Sequence, residues 1–179
     1  MLGVPYNPPQ EPPLIIRTER ETDLPAIALI TQAAFATEPH SRHTEQFIIA
    51  ALRAAGALRV SLVAEVDGQV VGHVAFSPVT LSDGSADWYG VGPLAVSPEV
   101  QNRGIGTALM HAGLAAVRKL GGQGCVLVGD PAFYARFGFR ATPALTLDGV
   151  PPENLLALTL AGEDARGRVT FHPAFAAEA

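Results

Sequence analysis

Cysteine is nearly absent from this chain: Cys125 is the only one, so no internal disulfide can form. It lies in the apolar run Cys-Val-Leu-Val with no activating group beside it, the setting of a small buried hydrophobe and not of a nucleophile. Long hydrophobic runs are absent too. None approaches the roughly 20 residues of a membrane span, and no basic stretch followed by an apolar one marks a secretory leader. A reducing cytoplasm is the expected location, with no membrane partner. Basic residues are the third shortage, 12 against 17 acidic ones, for a net charge of −5. A nucleic-acid binder carries a basic patch or stripe, and no such run occurs, so nucleic acid is not an expected partner.

What is present is apolar: 48% of 179 residues, with a mean hydropathy of +0.24. That suffices for one domain with a continuous core. Pro5, Pro8, Pro9, Pro12 and Pro13 crowd residues 1–13 and predict an extended arm. Residues 14–179 then read as a single domain of mixed strands and helices. A strand over 14–19 precedes a helix that Thr22 or Asp23 can cap, with Pro25 in its first turn and its end near Phe35. A polar loop over 36–43 leads to a second helix over 43–55, closed by Gly56. Asp67-Gly68 joins strands Val60–Val66 and Gln69 to about Thr80 in a tight hairpin. The next strand, Trp88 to Val96, contains Gly90, Gly92 and Pro93, so a bulge and a splayed end are expected.

The stretch Gln101-Asn102-Arg103-Gly104-Ile105-Gly106 opens a long helix ending at Gly121-Gly122. At about 100° per residue, Ile105, Leu109, Ala112, Ala116 and Leu120 share one face, and Thr107, His111 and Arg118 the other. A strand follows over 124–128, then a short helix over 132–137 capped by Asp130, a Pro/Gly loop over 142–154, and strands near 155–161 and 167–171.

A glycine loop at a helix start leaves backbone N–H groups without intrahelical partners, and the helix dipole adds positive charge there. This is a phosphate or pyrophosphate cradle. The phosphate loop of nucleotide hydrolases ends in Lys-Ser or Lys-Thr, and neither pair occurs in the chain. The dinucleotide fingerprint needs a third glycine, where Leu109 stands, and it opens the first βαβ unit, whereas here much of the chain comes first.

The segment 101–106, preceded by the strand Leu94–Val96 and Ser97-Pro98-Glu99, resembles the Gln/Arg-x-x-Gly-x-Gly/Ala signature of the GNAT superfamily of N-acetyltransferases. Phe133-Tyr134-Ala135-Arg136-Phe137-Gly138-Phe139 resembles that family's second block, aromatic-Tyr-x-x-x-Gly-Phe. The likeness covers roughly residues 14–140. It implies an α+β fold: a mixed, mostly antiparallel sheet of about 6–7 strands flanked by helices, with a splayed central strand pair. It implies acetyl-CoA as acyl donor, no metal, and direct transfer to a primary amine on a small molecule or peptide. Backbone amides of Asn102, Arg103, Gly104, Ile105, Gly106 and Thr107, following Gln101, would hold the pyrophosphate. Arg103 could add a charge-assisted contact. Leu94, Ala95 and Val96 would pair with the pantetheine arm, a backbone N–H steadying the oxyanion. Tyr134 matches the position that protonates the departing sulfur, and a phenol is protonated at neutral pH.

No base is legible. The strand 88–96 carries no carboxylate, which leaves Asp87, Glu38, His40, His43 and His73, the last read as a hydrogen-bonded strand histidine. A non-catalytic acyl-CoA sensor of the same fold is the competing reading. The segment after residue 141 either closes the acceptor side or contributes to a homodimer contact.

Overall fold

The computed structural model describes residues 12–178, so the arm expected over 1–13 lies outside the described residues except for its last two prolines. Seven strands form one sheet in the order β1-β2-β3-β5-β6-β9-β7: β1 Ile15–Thr18, β2 Val60–Val66, β3 Gln69–Pro78, β5 Trp88–Val96, β6 Gly124–Val128, β9 Leu155–Thr159 and β7 Arg140–Ala141. A smaller sheet orders β4 (Thr80–Leu81), β10 (Gly167–Thr170) and β8 (Leu145–Thr146) as β4-β10-β8. Within the large sheet only β5 and β6 run parallel, joined by the crossover helix α3, Ile105–Lys119. Such a pair needs a crossover connection, and this one packs α3 on β2, β3 and β5.

Helices α1 (Leu24–Phe35) and α2 (Glu45–Ala54) cover the opposite face, where Ile27, Ile49 and Val63 form a small core. The main core lies under α3, with Leu109, Met110, Leu114 and Val117 against Leu62, Val74, Phe76 and Val91. Gly113 lets α3 approach closely, since a methyl there would stand 2.3 Å from Phe76 Cε2. No helix among the described residues is long and apolar enough to cross a membrane.

The hairpin forms as read, with Asp67 at φ +50° and Gly68 at +73°. Several expectations are corrected. Neither Thr22 nor Asp23 caps α1 with its side chain: the Asp23 carboxylate accepts from Arg17 and from the Arg20 N–H, closing a 3-10 turn instead. The strand expected from Gln69 to Thr80 divides after Pro78, because Thr80–Leu81 leaves the large sheet to pair with β10. Leu145–Thr146, within the expected loop, forms a short strand parallel to β10. Leu120 is 53% exposed, not part of the buried face, because α3 ends at Lys119 and Gly121 turns the chain away at φ +81°.

Candidate active site

Strands β5 and β6 pair only through Trp88–Gly124, Tyr89–Cys125 and Gly90–Val126. Beyond Gly90 they separate: β5 stays on β3, while β6 stays on β9 up to Val128–Leu155. The cause is local. Between Val91–Phe76 and Leu94–Val74 strand β5 spends three residue steps where β3 spends two, so Gly92-Pro93 carries a bulge. Gly92 has φ +134°, a conformation that favours glycine.

The ladder decides which backbone groups face the gap. The Ser97 N–H donates to the Val71 carbonyl at 2.8 Å, which makes Val96–Gly72 a pair that exchanges no bonds. By alternation Ala95 bonds to His73, while Leu94 and Val96 turn their N–H and C=O toward the side that β6 has left. Of the three residues expected to offer free backbone groups, Ala95 therefore faces β3, and the open edge consists of Leu94 and Val96. The Val96 carbonyl accepts from Gln101 Nε2 at 3.0 Å, tying the strand end to the loop.

Asn102 (φ +62°) and Gly104 (φ +81°) are left-handed on either side of Arg103, and Gly104 leads directly into α3. The first helical bond runs from the Ala108 N–H to Gly104 O at 3.0 Å, so the N–H groups of Ile105, Gly106 and Thr107 precede the ladder. They lie at the positive end of the α3 dipole. Around a Cβ placed on Gly104 nothing lies within 4 Å, so the cradle is open. Arg103, between the two, is exposed. A Cβ on Gly106 would lie 3.7 Å from both Phe133 Cζ and Val96 Cγ2, so loop, strand tip and aromatic block converge there.

Asp130 accepts from the Ala132 N–H and starts the short helix α4, Pro131–Tyr134, as expected of it. The Tyr134 ring meets Phe133 edge-on at 4.8 Å and Phe139 at 6.0 Å. It also fills the space above Gly129, where a methyl would stand 2.5 Å from Tyr134 Cε2. That requirement was unreadable in sequence. Burial, reinforced by the Asp130 charge, pushes the Tyr134 phenol up to about 12. Its hydroxyl has no hydrogen-bond partner among the described residues. The phenol is held in place by its ring contacts and stays protonated at neutral pH.

The candidate bases scatter. Asp87 stands at the start of β5, the opposite end from the gap. Glu38, His40 and His43 are exposed in the loop after α1, with His43 Nδ1 3.0 Å from the Phe35 carbonyl oxygen. His73 is fully buried, with Nε2 2.7 Å from Ser61 Oγ; that hydroxyl donates to Glu19, which Arg53 also holds through two bonds. Burial keeps His73 neutral despite Glu19, so Nε2 is the donor to Ser61. Cys125 is buried, and burial pushes its thiol up to about 12. No three His, Cys, Asp or Glu side chains among the described residues are grouped to hold a metal ion.

An activated acyl group carried on a phosphate-bearing handle fits this arrangement: unpartnered N–H groups at a helix start, an open strand edge near them, and a protonated phenol over Gly129 just past β6. Comparison with known proteins agrees. Residues 58–141 match the acetyltransferase (GNAT) domain family. The chain is 36% identical over 128 residues to the uncharacterized N-acetyltransferase YhbS of Escherichia coli K12, covering 71% of this chain and 74% of that protein. A GNAT family acetyltransferase from Brucella melitensis, solved in complex with acetyl-CoA, is 44% identical, with 90% and 97% of the two chains covered and a TM-score of 0.81. Escherichia coli YhbS in complex with CoA superposes with a TM-score of 0.84 at 32% identity, over 95% of each chain. Fold, site and sequence together show that this chain belongs to the GNAT family of N-acetyltransferases.

Proposed function

We propose that the protein moves the acetyl group of acetyl-CoA directly to the nitrogen of a primary amine, both substrates being bound together. The observation that supports this is a convergence at Gly106: the unpartnered N–H groups at the start of α3, the tip of the Leu94–Val96 edge and the aromatic block of Phe133 and Tyr134 meet there, with a Gly106 Cβ 3.7 Å from both Val96 Cγ2 and Phe133 Cζ. The similar proteins solved with acetyl-CoA and with CoA support the same donor.

Acetyl-CoA supplies an activated thioester and a good leaving group. The N–H groups of Ile105, Gly106 and Thr107 hold the pyrophosphate, with Asn102, Arg103 and Gly104 shaping the turn. Leu94 and Val96 bond to the pantetheine arm as an added strand would, and a backbone N–H on this edge stabilises the oxyanion that develops as the amine attacks. The C–N bond forms and the C–S bond breaks, with Tyr134 giving its proton to the sulfur. Tyr134 regains one from solvent after the amine has released its own. Cys125 takes no part, since a thiol held near 12 offers almost no thiolate.

The test is CoA release measured with and without a panel of amines, alongside acetyl-CoA affinity by calorimetry. Amine-dependent release supports transfer. Tight binding with no turnover on any amine would make the chain a sensor of acyl-CoA instead.

A further inference from the structure

The gap between β5 and β6 has a lower end, and it is closed by a residue far away in sequence. Gly90 forms the last rung to β6 before the strands part. A methyl on Gly90 would stand 2.6 Å from Phe171 Cε1 and 3.0 Å from Val79 Cγ1, so the Phe171 ring rests directly on the Gly90 backbone. Tyr89 and Val91 both face the core under α3, so Gly90 points to the other face by strand alternation. On that face Trp88 and Val126 pack with Leu81, Leu155 and Val169, and Phe171 joins them. Phe171 also meets Phe175 at 4.9 Å, and Phe175 packs on Ile48 and Leu52 of α2. The ring thus sits at the crotch of the splay, tied through Phe175 to α2, and it remains partly exposed.

Above the ring two apolar positions stand open. Around a Cβ on Gly92 nothing lies within 4 Å, and Val128, on the same face as Val126, is 48% exposed at the end of β6. The anion cradle and α3 occupy the opposite face, so a donor reaching through the gap leaves this side for the acceptor.

We propose that Phe171 is the floor of the acceptor site and a specificity-determining residue, and that the acceptor is a primary amine whose substituent is a compact apolar group resting on this ring. The inference rests on the transferase reading given above. It assigns the segment after residue 141 to closing the acceptor side.

The test compares phenethylamine, hexylamine and the diamine cadaverine as acceptors for the full chain and for Phe171→Leu and Phe171→Ala, with acetyl-CoA affinity and thermal melting as folding controls. The wild type should favour phenethylamine and hexylamine over cadaverine by about tenfold or more in kcat/KM, since a second charge cannot be solvated against an apolar floor. Phe171→Leu, which keeps an apolar floor and the fold, should raise the phenethylamine KM several-fold with kcat and acetyl-CoA affinity near wild type. Phe171→Ala should raise it by about tenfold or more. Transfer with an amine preference indifferent to position 171, in variants that melt normally and bind acetyl-CoA, overturns this proposal alone. Acetyl-CoA binding by the wild type without transfer to any of the three amines, but with transfer to another amine of the panel, overturns this proposal alone; no transfer to any amine of the panel overturns the transferase reading and this proposal with it.

Discussion

Replacing Tyr134 with phenylalanine removes one oxygen and little else. The ring contacts with Phe133, Phe139 and the Gly129 backbone are kept, and the hydroxyl bonds to nothing among the described residues. Folding stability should change by less than about 1 kcal/mol. The kinetic effect is larger. With its phenol near 12, Tyr134 is protonated throughout the neutral and mildly alkaline range, so it is available as an acid wherever the amine is neutral. General acid catalysis contributes about 10²–10⁴-fold. The low end applies, because a thiol with a pKa of roughly 8.5 leaves tolerably well without help. We expect kcat to fall about 100-fold, near 2.7 kcal/mol of barrier. The assay is CoA release followed with a thiol-reactive dye, with acetyl-CoA affinity measured separately and expected within about threefold of wild type. The wild-type rate should show no alkaline decline from this group below about pH 11. A kcat unchanged in Tyr134→Phe, with single-turnover data showing chemistry to be rate-limiting, would refute the acid role.

Three further outcomes follow from named contacts. Gly104→Ala places a side chain at φ +81°, which costs about 1–2 kcal/mol, and should weaken acetyl-CoA binding about tenfold by calorimetry; an unchanged Kd would detach the loop from the cofactor. Cys125→Ala should keep kcat within about twofold while losing about 1 kcal/mol of stability, and loss of turnover in a folded variant would demand an acyl-enzyme. Burial raises the Glu19 carboxyl, but the His73 ring 3.5 Å away and hydrogen bonds from Arg53 and Ser61 outweigh it and hold the group below its usual range. His73 is depressed too, in its case by burial, so the stability from both groups is present above their unfolded pKa values, roughly 4.5 and 6.5, and drains away as pH falls below each. Glu19→Gln should lower Tm at pH 7 by roughly 2–8 °C and flatten the acid decline between about pH 5 and 3; a parallel decline in both proteins would show the network to be inert.

Local chemistry was legible wherever a residue type admits few conformations. Asp67-Gly68 specified its hairpin turn, Gly92-Pro93 its bulge, and the 104–106 glycines the helix start, because each depends on backbone freedom that neighbours do not alter. Cys125 was read correctly as a buried group, and His73 as a hydrogen-bonded strand histidine, for a similar reason: apolar strand positions leave little choice. Contacts across the chain were not legible. Asp23 was expected to cap α1 but binds Arg17, which comes from β1, and no local pattern announces that. Ala95 was grouped with Leu94 and Val96 because sequence shows the strand but not the phase of its ladder. Phe171 reaches Gly90 across 80 residues, and only the topology brings them together.

The central claim is that one edge and one helix start share the donor between them. A crystal structure of this chain with coenzyme A tests it most directly. The account predicts pyrophosphate oxygens within hydrogen-bond distance of the N–H groups of Ile105, Gly106 and Thr107. It also predicts pantetheine amides bonded to Leu94 and Val96 but not to Ala95, and the sulfur beside the Tyr134 hydroxyl. Coenzyme A bound with its pyrophosphate away from the start of α3, or with its arm outside the gap between β5 and β6, would contradict it.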